Sequence, residues 1–194
     1  MAKEPNRVGG VLKPLDDYPD HAKLIGLIIT DLTSAEAALA LIFWELIGDP
    51  IRADAVFWTL GSAKARSDVV RASITETMDK SDRLRDDLLA AIVNFRKLTD
   101  KRNDIAHGEW GAPAQGGRHP FLSLKQPATK SPIFQRIYTL DALIELDRKI
   151  RECERKFNNL WQALQYRKGG LTYERLEAER KINPIVDAFL RKYE

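Results

Sequence analysis

Three long stretches of the chain repeat apolar residues in steps of three and four, the spacing that places side chains on one face of an α-helix. The first stripe is Leu24, Ile28, Leu32, Ala35, Leu39, Ile42 and Leu46, followed by Gly48. The second is Leu84, Leu88, Ala91, Phe95, Leu98, Arg102 and Ile105, and the third is Leu146, Ile150, Cys153, Phe157, Leu160 and Leu164. We therefore predict three long amphipathic helices, which need one another to cover their apolar faces.

Polar residues mark where further helices should begin. Asp49 followed by Pro50 predicts the start of a short helix through Trp58. Ser62 can cap the next helix, which carries few apolar anchors and is expected at the periphery. Thr139 can cap the third long helix. The tail beyond residue 171 is charged and is expected to be helical.

The remaining segments lack a helical period. Residues 1–17 contain several glycines and prolines and are expected to form a loose N-terminal arm, followed by a single helical domain over 18–194. Residues 108–138 are expected to form an irregular insert, in which the strand-like runs 121–125 and 133–138 could pair as a β-hairpin. The sequence thus predicts an all-α fold with a small β insert.

Composition narrows the class of protein without naming a function. Of the 194 residues, 44% are hydrophobic and 30% are charged, which is typical of a globular protein. The single cysteine, Cys153, excludes an internal disulfide or a multi-thiolate metal site. The first residues lack a signal-peptide core, and polar residues interrupt the most apolar run, 24–47. We predict a soluble, cytoplasmic protein with no membrane partner, and a net charge of +3 is compatible with a polyanion.

The end of the second predicted helix gathers the side chains that could perform chemistry. Arg102 occupies a position on the apolar stripe, where an unpaired charge is costly and requires a partner or a function. Asn103 and His107 are four residues apart and project from one side of the helix, and Asp104 lies three residues before the histidine. Gly108 is expected to end the helix, leaving His107 at an end that a ligand can reach.

The run from Arg102 to Gly108 resembles the Arg-x4-His motif of the HEPN (higher eukaryotes and prokaryotes nucleotide-binding) superfamily, whose motif also has a polar residue directly after the arginine. The resemblance implies a bundle of long antiparallel helices and a homodimeric, metal-independent endoribonuclease that needs no cofactor. It implies that Arg102 and His107 of both subunits meet in a shared cleft, with Arg102 as phosphate clamp, His107 as proton-transfer group and Asn103 as an orienting or substrate-contacting group. The implied products carry 2′,3′-cyclic phosphate and 5′-hydroxyl ends.

The residues themselves are consistent with that chemistry. Attack on a phosphate by the 2′-hydroxyl of RNA needs a base, an acid and a cation, and imidazole can serve as base or acid near neutral pH. One histidine per chain supplies one such group, whereas a two-fold dimer supplies two. Asp104 is expected to be a supporting partner. Lys101 could contact the RNA backbone, and Trp110 could stack on a base or simply pack.

The resemblance further implies a role in phage defence or toxin-like growth control, with a possible protein partner or antitoxin. In one branch of the family, which is paired with a nucleotidyltransferase antitoxin, a tyrosine lies two residues after the histidine. This chain has Glu109 there, which weighs against that pairing.

Other interpretations stay open at this point. Arg102 could pair with a buried carboxylate, and His107 could stabilise the helix C-terminus. The protein would then be a non-catalytic helical adaptor, or a module that binds RNA without cutting it. His21 and His119 are expected to be ordinary surface histidines, and no second copy of the Asp104-x-x-His107 spacing exists to complete a metal site.

Overall fold

The computed structural model describes residues 10–12, 15–113, 119–124 and 134–169. The described helices are α1 (Pro19–Ile47), α2 (Pro50–Thr59), α3 (Ala63–Thr77), α4 (Arg83–His107) and α5 (Leu140–Arg167), with a 3-10 turn at Leu15–Asp17. The described strands are β1 (Gly10–Leu12), β2 (Glu109–Pro113), β3 (Phe121–Leu124) and β4 (Phe134–Ile137). The predicted fold class, all-α with a small β insert, is confirmed.

The chain divides into two compact units. Unit 1 comprises residues 1–32 and 98–150, and unit 2 comprises residues 33–97 and 151–194. The three long helices, α1, α4 and α5, contribute residues to both units.

The three apolar stripes form the buried sides of the long helices, as predicted. The fully buried members include Ile28, Leu39, Leu88, Phe95, Ile150 and Phe157, each 0% exposed. Burial of one such side chain stabilises the fold by about 1.5–3 kcal/mol. Cys153 on the α5 stripe is 3% exposed, and burial raises the pKa of its thiol to about 12. It is therefore a small core residue rather than a reactive thiol.

The predicted helix starts are also confirmed. In each case an unpaired backbone N–H of the first turn donates to a side-chain oxygen just before the helix, which stabilises the helix by about 1 kcal/mol. These bonds, each 3.1 Å long, join Asp49 to the N–H of Arg52, Ser62 to that of Ala65, and Thr139 to that of Ala142. Gly48, with a φ of 76°, ends α1 in a left-handed conformation that glycine adopts without strain.

Unit 2 contains a buried ion pair that the sequence pattern did not predict. Arg66 Nε of α3 donates to Glu36 Oε1 of α1 at 2.8 Å, and Glu36 is 6% exposed. Arg66 also donates to the carbonyl of Leu60 at 3.1 Å. Loss of either charge would leave the other buried without its partner, so the pair fixes α3 against α1 and the end of α2.

The strands form one antiparallel sheet in the order β1-β2-β3-β4. The predicted hairpin between β3 and β4 is confirmed. Strands β1 and β2 were not predicted, and β1 lies in the segment that was expected to be a loose arm. In β2, a Cβ atom on Gly111 would lie 2.4 Å from Phe121 Cζ, so only glycine leaves room for that ring.

Helix α1 is long and apolar enough to cross a membrane, the one such helix in the described ranges, but 50% of its most apolar window is buried inside the protein. The core helix of a protein can be equally long and apolar, so the predicted solubility stays a prediction. The predicted helical tail beyond residue 171 lies outside the described residues.

Candidate functional site

Arg102 lies on the buried side of α4, as the stripe predicted. Its neighbours on the stripe, Leu98 and Ile105, are 3% and 1% exposed, and Arg102 itself is half-buried. The Nε atom of Arg102 is buried and has no hydrogen-bond partner among the described residues. Within the described ranges Arg102 also forms no ion pair, so the predicted alternative of a buried carboxylate partner has no counterpart there. A guanidinium in this state retains donors for a ligand.

His107 is the last residue of α4 and its side chain is exposed. Asn103, one turn earlier on the same side, is half-buried, as is Asp104, and Lys101 is exposed. Residues five apart project about 140° from each other around a helix axis. The structure therefore brings Asn103 and His107 to one side of the helix, whereas Arg102 projects from a different side.

Gly108 lets the chain pass directly from α4 into β2. Its N–H donates to the carbonyl of Asp104 at 2.9 Å. A Cβ atom on Gly108 would lie 2.5 Å from Leu122 Cδ1 and 2.7 Å from Asp104 O. Strand β3 therefore packs against the end of α4 so closely that no side chain fits at position 108, and the position of His107 depends on this contact.

Trp110 of β2 folds back onto the same helix end. Its indole N–H donates to the carbonyl of Ile105 at 3.1 Å, and its ring lies 5.6 Å from that of Tyr138. These contacts are those of a packing residue that ties β2 to α4. The predicted stacking of Trp110 on an RNA base stays a prediction.

The expectation that His21 is a surface histidine is wrong. His21 is 3% exposed, and its Nε2–H donates to the carbonyl of Tyr138 at 3.2 Å. Its ring lies 5.7 Å from the ring of Tyr18 and 5.8 Å from that of His119. The sequence signal was present, because His21 lies three residues before Leu24 and seven before Ile28 and so extends the stripe of α1 by one turn.

Burial lowers the pKa of His21 below its usual value of 6.5, because a charged imidazole is poorly solvated there. The hydrogen bond to the carbonyl of Tyr138 raises the pKa and offsets part of this effect. Of the neighbouring charged groups, His119 lowers the pKa and the carboxylate of Asp20 raises it. The folded state thus holds His21 neutral at a pH where the unfolded chain would bind a proton.

This difference predicts that stability falls as the pH is lowered below about 6.5, because the unfolded chain then binds more protons than the folded one. We expect the urea midpoint at about pH 5.5 to lie below that at about pH 7.5, and the difference to shrink in His21→Gln. Glutamine retains an N–H donor for the carbonyl of Tyr138 but does not titrate. His107→Gln at the exposed site is the matched control and should keep the wild-type difference. An equal pH dependence in His21→Gln would contradict this account.

The described residues contain no group of three or more histidine, cysteine, aspartate or glutamate side chains that could hold a metal ion. The α4 end instead offers a guanidinium, an amide, a carboxylate and an accessible imidazole, a set suited to binding an anion and transferring a proton. In comparisons with known proteins, no family model, no curated protein and no solved structure matches this chain.

Proposed function

We propose that the protein is a metal-independent endoribonuclease that acts as a homodimer. The observation that carries the proposal is the state of Arg102, a guanidinium on a buried stripe whose Nε has no hydrogen-bond partner in the described part of the chain. A guanidinium on a buried stripe without a carboxylate partner among the described residues is costly, and an anionic ligand that binds its remaining donors would offset that cost. The resemblance of the motif to HEPN ribonucleases supports the same assignment.

In the proposed reaction the 2′-oxygen of the RNA attacks the adjacent phosphorus while the bond to the 5′-oxygen of the next nucleotide breaks. In one subunit a neutral His107 accepts the proton of the 2′-hydroxyl. In the other subunit a protonated His107 donates a proton to the leaving 5′-oxygen. Arg102 binds the non-bridging oxygens through its planar fork and stabilises their charge in the transition state. The products are a 2′,3′-cyclic phosphate and a 5′-hydroxyl.

The geometry of α4 supports a second copy as the source of the second histidine. The exposed His107 and the half-buried Arg102 project from different sides of one helix, and the Arg-x4-His motif of one chain contains a single imidazole. A two-fold axis near the helix end would place two copies of each group around one phosphate. Asn103, on the same side as His107, is positioned to orient the substrate or the imidazole.

The other site residues have auxiliary roles in this proposal. Asp104 is a supporting partner of the motif, and the exposed Lys101 contacts the RNA backbone. Trp110 holds the helix end through its bond to Ile105 and can contact substrate. The function fits cytoplasmic phage defence or toxin-like growth control, with activity held in check by a protein regulator.

The test is cleavage of a mixed RNA pool by the purified full chain in EDTA. His107→Ala should lower the cleavage rate by about 10²–10⁴-fold, because it removes the proton-transfer group. Its free energy of unfolding should change by less than about 0.5 kcal/mol, because the side chain is exposed. Asp100→Ala, an exposed substitution earlier on α4, should leave the rate unchanged. The product ends are identified by their sensitivity to enzymes that open cyclic phosphates.

Each other outcome points to one of the alternative functions. If neither protein cuts RNA but the wild type binds it with a strong salt dependence, the protein is an RNA-binding module. If His107→Ala unfolds the protein or dissociates the dimer and no RNA binding occurs, the structural role and the adaptor function are favoured.

A further inference from the structure

Unit 2 contains a cleft along one side of α1, bordered by α2 and α5. Its volume is about 480 Å³, within the range of small-ligand sites. The part of α1 that forms its floor carries small side chains, Ser34, Ala37 and Ala38, which leave the space between the neighbouring helices open.

The charged groups that line the cleft are all acidic. Asp54 of α2 and Glu154 of α5 contribute carboxylates, and no lysine or arginine is among the described lining residues. The chain as a whole has a formal charge of +3, so the cleft has the opposite sign to the rest of the protein. Its charge is complementary to a cation.

Two tryptophans form the aromatic part of the lining. Trp58 is 45% exposed, and its indole N–H donates to Asp54 Oδ1 at 2.8 Å, which holds the ring and the carboxylate together. The Arg66 guanidinium lies 5.3 Å from the centroid of the Trp58 ring and occupies part of the indole surface, so a ligand can use only the part that is exposed.

Trp44 contributes its ring, but not its N–H, to the lining. Its Nε1 atom is buried and forms no hydrogen bond with the described residues. An atom without accessible surface cannot be reached by an acceptor in the cleft, so a ligand there would contact the indole ring of Trp44. The occupant that fits this lining is therefore a cation that can also pack against aromatic rings.

We propose that this cleft binds an arginine-bearing segment of a partner protein. The guanidinium binds the carboxylates of Asp54 and Glu154 and lies against the exposed part of the Trp58 indole, and the adjoining part of the segment packs against the ring of Trp44. Arginine fits better than lysine because its planar fork combines carboxylate hydrogen bonds with stacking on an aromatic ring. The proposal does not rest on the ribonuclease function, since it uses none of the residues of the α4 end.

The first test follows the indole N–H signals of Trp44 and Trp58 by two-dimensional NMR of the ¹⁵N-labelled full chain. The probe is the peptide acetyl-Gly-Arg-Gly-amide, and the matched probe replaces arginine by citrulline, which has the same shape without the charge. We expect the arginine peptide to shift both signals in a saturable manner and the citrulline peptide to bind at least about tenfold more weakly. Equal binding of the two peptides, or no shift of either indole signal, would overturn the proposal.

The second test removes the charges of the cleft while keeping its shape. The double variant Asp54→Asn with Glu154→Gln retains an oxygen acceptor for the Trp58 N–H and should weaken binding of the arginine peptide by at least about tenfold. Glu152→Gln, an exposed substitution on the same helix, is the control and should bind like the wild type. Unchanged binding by the double variant, or stronger binding of a single-stranded RNA oligonucleotide at the same signals, would refute the peptide assignment. RNA cleavage by the double variant should equal that of the wild type, so this proposal and the ribonuclease proposal fail separately.

Discussion

Replacement of Arg102 by methionine is expected to stabilise the protein and to abolish its RNA cleavage. Methionine keeps an apolar stem on the stripe that includes Leu98 and Ile105, but removes the buried Nε that has no hydrogen-bond partner among the described residues. Relief of that unsatisfied group should raise the free energy of unfolding by about 1 kcal/mol. Cleavage should fall by about a hundredfold or more, because the phosphate loses its cationic donor.

Urea unfolding and EDTA-resistant RNA cleavage measure the two effects on the same preparations. Lys97→Met is the matched control, because it removes a positive charge from an exposed position of α4 and should change the free energy of unfolding by less than about 0.5 kcal/mol. Arg102→Lys keeps the charge but loses the planar fork, so it should retain only part of the activity. A clear loss of stability in Arg102→Met would show that Arg102 is a structural residue and would contradict the proposed phosphate clamp.

The long helices were predictable because their determinants lie close together in the sequence. The apolar residues of each stripe recur about once per helical turn. The capping side chains accept hydrogen bonds from backbone N–H groups three residues later, at Asp49, Ser62 and Thr139. The hairpin was predictable for a similar reason, since β3 and β4 are neighbours along the chain. Such elements can be predicted without knowledge of contacts between residues that are far apart in the sequence.

Strands β1 and β2 were not predictable because each is stabilised by pairing with another strand rather than by a pattern in its own sequence. Gly10 pairs with Pro113, more than a hundred residues away in the sequence. Strand β2 contains Gly111 and ends at Pro113, residues that usually argue against a strand. The glycine is explained by the ring of Phe121, a contact that no local pattern reveals.

The candidate site, too, was predictable only in part. The position of Arg102 on the stripe of α4 and that of His107 at the helix end could be read from the spacing of residues and from Gly108. That the Nε of Arg102 has no hydrogen-bond partner among the described residues depends on what packs around it. The burial of His21 could have been predicted from the stripe of α1, which extends back from Leu24 to His21, but histidines were assumed to lie at the surface.

Gly108→Ala is expected to lower the free energy of unfolding by about 1–3 kcal/mol, because the new methyl group has no space. Leu122, whose Cδ1 atom would lie 2.5 Å away, is 0% exposed and cannot move into solvent. The other close atom, Asp104 O at 2.7 Å, belongs to the helix backbone and accepts the hydrogen bond that ends α4. Relief of these contacts requires the helix end and β3 to separate.

The same movement would displace His107, the residue directly before the glycine. A misplacement of about 1 Å in a catalytic group can reduce a rate about a hundredfold, so RNA cleavage should fall together with stability. Gly26→Ala is the matched control, because Gly26 lies on the exposed side of α1 with no atom within 4 Å of an added Cβ. That substitution should raise the free energy of unfolding by about 0.5–1 kcal/mol, since alanine favours the helix. A Gly108→Ala protein as stable and as active as Gly26→Ala would show that the close packing of β3 does not position the catalytic end of α4.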